Sequence, residues 1–240
     1  MKFYQSKLLN SFANLTHCFT TKQSKNLAFH VGDNGDAVLA NHQTLAKELA
    51  YDLQKLVHMK QIHSNLVKVV NKNDNFTNPP TCDALITNKK ETPLMVMVAD
   101  CSPILFYDPQ KEVIAVAHAG RAGAFGNIVK NVITSFVEDF GVNPADILAS
   151  IGPAICQNCY EVGEEIVQEA EQKNYGYALA QKGNKYFLNI RSILKKQLRE
   201  SGLNAAHIEI ATECSKCDKR FYSYREEKNC GRFAGVLLLK

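Results

Sequence analysis

The chain has no apolar run approaching the length of a membrane span. Its first residues, Met1-Lys-Phe-Tyr-Gln-Ser, lack the continuous apolar core of a signal peptide. Both absences point to a cytoplasmic protein with no membrane partner. The eight cysteines then read as reduced thiols rather than a disulfide framework. No basic tract is interleaved with aromatics, and a formal charge of +4 from scattered Lys and Arg disfavours nucleic acid as a partner. Repeats, low-complexity segments and linkers are also missing, so residues 1–240 are read as one domain, a monomer or small homo-oligomer. What is present is an ordinary globular composition, 45% hydrophobic and 22% charged.

Residues 17–21, 55–60, 66–70, 93–99, 104–107, 113–117, 146–151, 187–190, 207–211 and 233–239 read as strands. Helical spacing covers 36–49, 125–140, 161–172 and 192–200, with Asp36 a candidate N-cap and Gly141 a candidate C-cap. The polar, Pro-containing stretch 71–80 is a surface loop. Strands and helices alternate irregularly around at least one antiparallel hairpin, which predicts an α/β domain with mixed sheets.

That hairpin carries the most informative residues. Val98-Ala-Asp-Cys-Ser-Pro103 and Ala115-Val-Ala-His-Ala-Gly120 flank a turn at Asp108-Pro-Gln-Lys111, whose Asp and Pro suit type I. If Asp108 pairs with Lys111, Cys101 falls directly opposite His118, with Cβ atoms about 5 Å apart. Three readings follow. The pair is a thiolate nucleophile with its activating imidazolium, or two ligands of one metal, or a buried thiol beside a satisfied core histidine. His63, in a polar turn, extends the metal reading to two His and one Cys. That set suits a catalytic zinc with one open position, and copper would accept it too. Asp100 does not complete a triad on a regular strand, because it points to the opposite face from Cys101.

Gly120-Arg-Ala-Gly123-Ala-Phe-Gly126 opens the helix that follows His118 and offers an anion site at Gly120, with Arg121 as a charged contact. Near the C-terminus Arg220-Phe-Tyr-Ser-Tyr-Arg225 and Cys230-Gly-Arg232 combine aromatics suited to a flat base with arginines suited to phosphate. Cys156-Gln-Asn-Cys159 and Cys214-Ser-Lys-Cys217 are two C-x-x-C pairs, separated by far more than a zinc ribbon allows. The spacing favours independent thiols.

Several of these segments together resemble the bacterial laccase-domain family, long named polyphenol oxidase and later purine nucleoside phosphorylase. They are His30-Val-Gly-Asp33, Lys60-Gln-Ile-His63, Cys82-Asp-Ala-Leu-Ile-Thr87, Ala99-Asp-Cys-Ser-Pro103, Ala117-His-Ala-Gly120, Ile151-Gly-Pro153, Cys159-Tyr-Glu-Val-Gly163, Phe221-Tyr-Ser-Tyr-Arg225 and Gly231-Arg232. The resemblance implies an α/β sandwich flanked by helices, related to the cysteine-hydrolase core of cytotoxic necrotising toxins. It implies metal ligation by His63, Cys101 and His118, with zinc or copper as the ion. It implies phosphorolysis of adenosine, inosine and methylthioadenosine, together with adenosine deamination. Purine nucleoside and phosphate would then be the partners, with Asn26, Gly120, Arg121, Arg225 and Arg232 as candidate contacts. The alternatives are a metal-free Cys101/His118 hydrolase or deamidase, a copper-dependent polyphenol oxidase, and a peptidoglycan-precursor editing factor. Where the family carries Trp-Arg-Gly after His-Ala-Gly, this chain has Arg121-Ala122-Gly123 and no tryptophan at all.

Overall fold

The computed structural model describes residues 3–240. Along the chain it runs β1 (Leu15–Phe19), α1 (Gly35–Leu49), β2 (Val67–Val69), β3 (Ala84–Thr87), β4 (Leu94–Val98), β5 (Ser102–Asp108), β6 (Val113–Ala119), α2 (Arg121–Phe125) and α3 (Ile128–Phe140). It continues with β7 (Leu148–Ile151), β8 (Glu161–Val162), α4 (Glu164–Gln172), β9 (Leu179–Lys182), β10 (Lys185–Leu188), α5 (Ile190–Glu200), β11 (Ile208–Ile210) and β12 (Phe233–Leu239). A six-stranded sheet has the order β11-β7-β5-β6-β3-β2, with parallel pairs at both edges and antiparallel pairs between. A second, antiparallel sheet has the order β1-β12-β4, and β8-β10-β9 forms a small third one.

Strands β5, β6 and β12 are buried along their whole length, because both faces of each are covered. In β5, Ile104 and Phe106 face a core built with α3 and α5. Leu105 and Tyr107 face the opposite way, into a core between the two large sheets. On the far side of β1-β12-β4, Cys18, Met95, Met97 and Val236 pack with Leu45 of α1. The result is helix, sheet, sheet, helix: a mixed α/β sandwich flanked by helices, as expected. Among the described residues no helix is long and apolar enough to cross a membrane.

Four local expectations are corrected. Residues 55–60 form no strand: Val57 and Lys60 make single bridges, to Leu94 and Thr81. Their apolar pattern reflects burial of Leu56, Val57 and Met59 in the two cores rather than a ladder. The helix over 125–140 is two helices, because Asn127 sits at φ 55° and caps α3 through Lys130 N–H. Gly141 does close α3 in the left-handed conformation, φ 64°. The first helix is capped by Asn34, which accepts from Ala37 N–H, rather than by Asp36. Glu161 and Val162 are a strand, and α4 begins only after Gly163.

The hairpin is longer than the turn suggests. Asp108 Oδ2 does accept from Lys111 N–H at 2.6 Å. The ladder, however, closes at Asp108–Val113, with Glu112 left-handed at φ 51°. A four-residue loop therefore moves the register by two, and Pro103, not Cys101, lies opposite His118. A shift of two keeps every side chain on its face, so Cys101 and His118 remain neighbours.

Gly152, just after β7, packs directly against the second large sheet. A Cβ there would stand 2.3 Å from Cε1 of Phe19, a fully buried ring of β1. Gly152→Ala should cost about 1–3 kcal/mol by overpacking. Urea denaturation should show a lower midpoint at unchanged slope.

Candidate metal centre and cleft

Ala99 to Cys101 leave the sheet between β4 and β5, with Asp100 at φ 85°. Asp100 is not on a regular strand, so alternation of faces does not apply to it; its carboxylate is engaged elsewhere, accepting from Ser215 Oγ and from Arg225 N–H, both at 2.6 Å. Cys101 comes to rest under Gly120, where a Cβ would sit 3.0 Å from its Sγ and 3.5 Å from the His63 ring. The absence of a side chain at Gly120 thus lets α2 close over the thiol. Gly123 works alike, its missing Cβ falling 3.1 Å from Ser64 O and 3.2 Å from His118 O. These two glycines admit close packing.

His63, Cys101 and His118 meet, their ligand atoms all within 4.8 Å of one another. The residue that brings them together is Asp83, at the start of β3 and fully buried. Its carboxylate accepts from the N–H groups of Ile62 (3.2 Å), His63 (3.1 Å) and Ser64 (2.7 Å), and from Ser64 Oγ (2.7 Å). The same carboxylate binds His118 Nδ1 at 2.8 Å. His63 is left-handed, φ 59°, a strained state for a non-glycine that the Asp83 bond holds in place. Gln61 ties the same loop to β4 through both the N–H and the carbonyl of Met97. Asn65 ties it to the break between α2 and α3, donating to Gly126 O at 2.7 Å. Asp83 was missed from sequence as a site residue. Its signal was the segment Cys82-Asp-Ala-Leu-Ile-Thr87, of a kind with those carrying the ligands.

The charges reinforce one another. Burial would raise the Asp83 carboxyl, but the bonds from His118 and Ser64 outweigh it and hold the group down at about 2. Burial likewise opposes a charge on His118, yet the Cys101 thiolate and Asp83 push it up to about 9. Cys101 is opposed by burial too, and the facing His118 and His63 bring it down to about 6. With no metal bound, both shifts run in the direction that favours a thiolate–imidazolium pair. Asp83, kept ionised, takes the proton side of Nδ1 and leaves Nε2 for Cys101 or a metal.

The three ligands sit in a cleft of about 770 Å³, the size range of small-molecule sites. Arg121, Arg225, Arg232 and Gly120 all line it, so four of the five expected contacts reach the cavity. Asn26 does not. It is buried, with its amide spent on Ala28 O, Asp33 Oδ2 and the N–H groups of Ala28 and Arg232. It positions the Arg232 backbone instead. Arg121 is engaged by Glu169 at 2.5 Å. Arg225 lies 5.3 Å from the Tyr160 ring and Arg232 5.9 Å from Tyr224, so each guanidinium stands beside an aromatic wall of the cleft. Tyr160 was not singled out from sequence as a site residue, although, like Asp83, it lies in one of the resembling segments, Cys159-Tyr-Glu-Val-Gly163.

Residues 16–240 match the family described as multi-copper polyphenol oxidoreductase laccase. The chain is 38% identical to a purine nucleoside phosphorylase of Corynebacterium glutamicum over 218 residues, covering 90% of this chain and 87% of that one. It is 33% identical to an adenosine deaminase, RL5, of an unknown prokaryotic organism, over 88% of this chain and 86% of that one. The structure of YlmD from Geobacillus stearothermophilus superimposes with a TM-score of 0.91 at 27% identity, covering 99% and 98% of the two chains.

In metal-depleted protein, alkylation of Cys101 by iodoacetamide should rise with a midpoint near pH 6. His118→Ala removes the facing cation, so the midpoint should move up toward about 8.5, the ordinary thiol value. Peptide mass spectrometry isolates Cys101 from the other thiols. A midpoint unmoved by the substitution would show that His118 does not set the thiolate.

Proposed function

The chain belongs to the multi-copper polyphenol oxidoreductase laccase family, and we propose that it is a metal-dependent purine nucleoside enzyme, a phosphorylase with adenosine deaminase activity. The observation that carries this reading is the convergence of His63, Cys101 and His118 in an aromatic and arginine-lined cleft. It is supported by relatives that bear both names. Two imidazoles and a thiolate are a borderline-soft donor set that fits zinc, with Asp83 supplying the carboxylate that steadies a ligating histidine. When bound, zinc supplies Lewis acidity beside the substrate.

The chain's own residues account for the remainder. The rings of Tyr160 and Tyr224 offer flat faces to a purine, and Arg225 and Arg232 offer charge to phosphate. In phosphorolysis the bond from the anomeric carbon to the base nitrogen breaks, a carbon–oxygen bond to phosphate forms, and the departing base takes up a proton. Positive charge develops on the sugar in between, so an anion held on that face lowers the barrier. Arg121, already paired with Glu169, contributes less to phosphate binding than Arg225 and Arg232.

A specific observation favours a second reading. Cys101, His118 and Asp83 stand in the order of a nucleophile, its base and the base's orienting carboxylate, which suits a metal-free hydrolase or deamidase. The polyphenol oxidase reading has less support. Among the described residues histidine ligands gather in one cluster, so a multinuclear copper centre lacks its ligands.

Phosphate-dependent release of adenine from adenosine is expected for the purified protein, with at least about a 100-fold loss in Cys101→Ala. Full activity after exhaustive metal removal would transfer the function to the metal-free reading. Asp83→Asn should weaken zinc binding by about 10–100-fold, measured by competition with a chromophoric chelator, while circular dichroism stays native.

A further inference from the structure

The two C-x-x-C pairs, which the spacing reads as independent, converge. β7 and β11 are parallel neighbours, and the turns that follow them leave the same end of the sheet. A bridge from Ala154 to Cys214 carries that pairing one step beyond the strands. It sets Cys156 and Cys159 beside Cys214 and Cys217, with all four Sγ atoms within 4.8 Å of one another. Cys159 Sγ and Cys217 Sγ are 3.4 Å apart, and all four are free thiols. Zinc–sulfur bonds of about 2.3 Å place the sulfurs of a tetrahedral site about 3.8 Å apart, which this cluster matches.

We propose that Cys156, Cys159, Cys214 and Cys217 hold a second metal ion, a closed four-sulfur structural zinc, separate from the His63–Cys101–His118 centre. The surroundings are built for it. Cys156 N–H donates to Cys214 Sγ at 3.3 Å, a bond that favours the thiolate. Arg191 of α5 spans both turns, donating to Ala211 O at 2.7 Å and to the carbonyls of Ala154 and Glu213. Four thiolates around Zn²⁺ carry a net charge of −2, and this guanidinium offsets part of it. The four protons lost on binding go to solvent.

The ion would tie together two stretches that shape the cleft. Ile155 and Tyr160 lie on the first, and Arg225 is reached from the second through Ser215 and its bond to Asp100. This inference is independent of what the cleft does.

The test uses the full chain carrying C101A, which removes the first centre, purified under reductant and supplied with zinc. Elemental analysis should find one zinc per chain. Replacing zinc with Co²⁺ should give sulfur-to-cobalt charge-transfer absorption that saturates at one equivalent. Cys159→Ser with Cys217→Ser should abolish both signals. Should that variant fold poorly, alkylation of the parent chain decides. The four cysteines should be protected in the zinc-loaded chain and labelled after chelation, while labelling of Cys18, Cys82 and Cys230 stays the same. Free labelling of the four in zinc-supplied protein, retention of the metal by the double variant, or isolation of the four as disulfides would overturn the proposal.

Discussion

The site depends on one buried carboxylate. Asp83 accepts from five donors, four on the loop that carries His63 and one on His118. Its own carbonyl accepts from His118 N–H at 2.7 Å, so main chain and side chain fasten the same two elements. A carboxylate with no exposure survives burial only because its acceptor capacity is used so fully. The loop in return is forced into a left-handed residue at His63 that it would not hold alone. Electrostatics follow from the same contact: the negative Asp83 keeps His118 positive, and His118 keeps Cys101 ionised.

Around that carboxylate the sandwich is arranged to bring backbones close. Gly120 and Gly123 let α2 settle on the thiol and on the His63 loop, and Gly152 lets β7 meet the Phe19 ring of the other sheet. The stretch that resembles an anion-binding glycine loop owes its glycines to this packing. Its helix is a single short element, cut off by Asn127 before α3 begins. The cleft wall is completed from distant parts of the chain, with the Arg225 backbone bound to Asp100 and the Arg232 backbone bound to Asn26.

Much of the architecture was legible because burial on both faces writes continuous apolar runs into β4, β5, β6 and β12. The hairpin joining Cys101 to His118 was legible too, although the register was displaced by two. The displacement arises in the turn, where Glu112 adopts a left-handed conformation that no residue preference announced. It did no harm to the site because side chains alternate with a period of two. Residues 55–60 misled for the opposite reason: apolar content there serves packing without hydrogen-bonded partners.

What the sequence determined by itself was the chemistry on offer. It supplied a cysteine and a histidine beside apolar strands, a second histidine in a polar turn, and the family to which those segments belong. It also supplied arginines and tyrosines near the C-terminus able to meet an anionic, flat substrate. What only the tertiary structure decided was which of these meet. Asp83 and His118 are 35 residues apart, and Cys159 and Cys217 are 58 apart. Strand pairing between β3 and β6, and between β7 and β11, closes those distances. Spacing along a chain constrains contacts only within a turn, a helix or a hairpin. Contacts across a sheet depend on strand order, which emerges from the packing of whole layers.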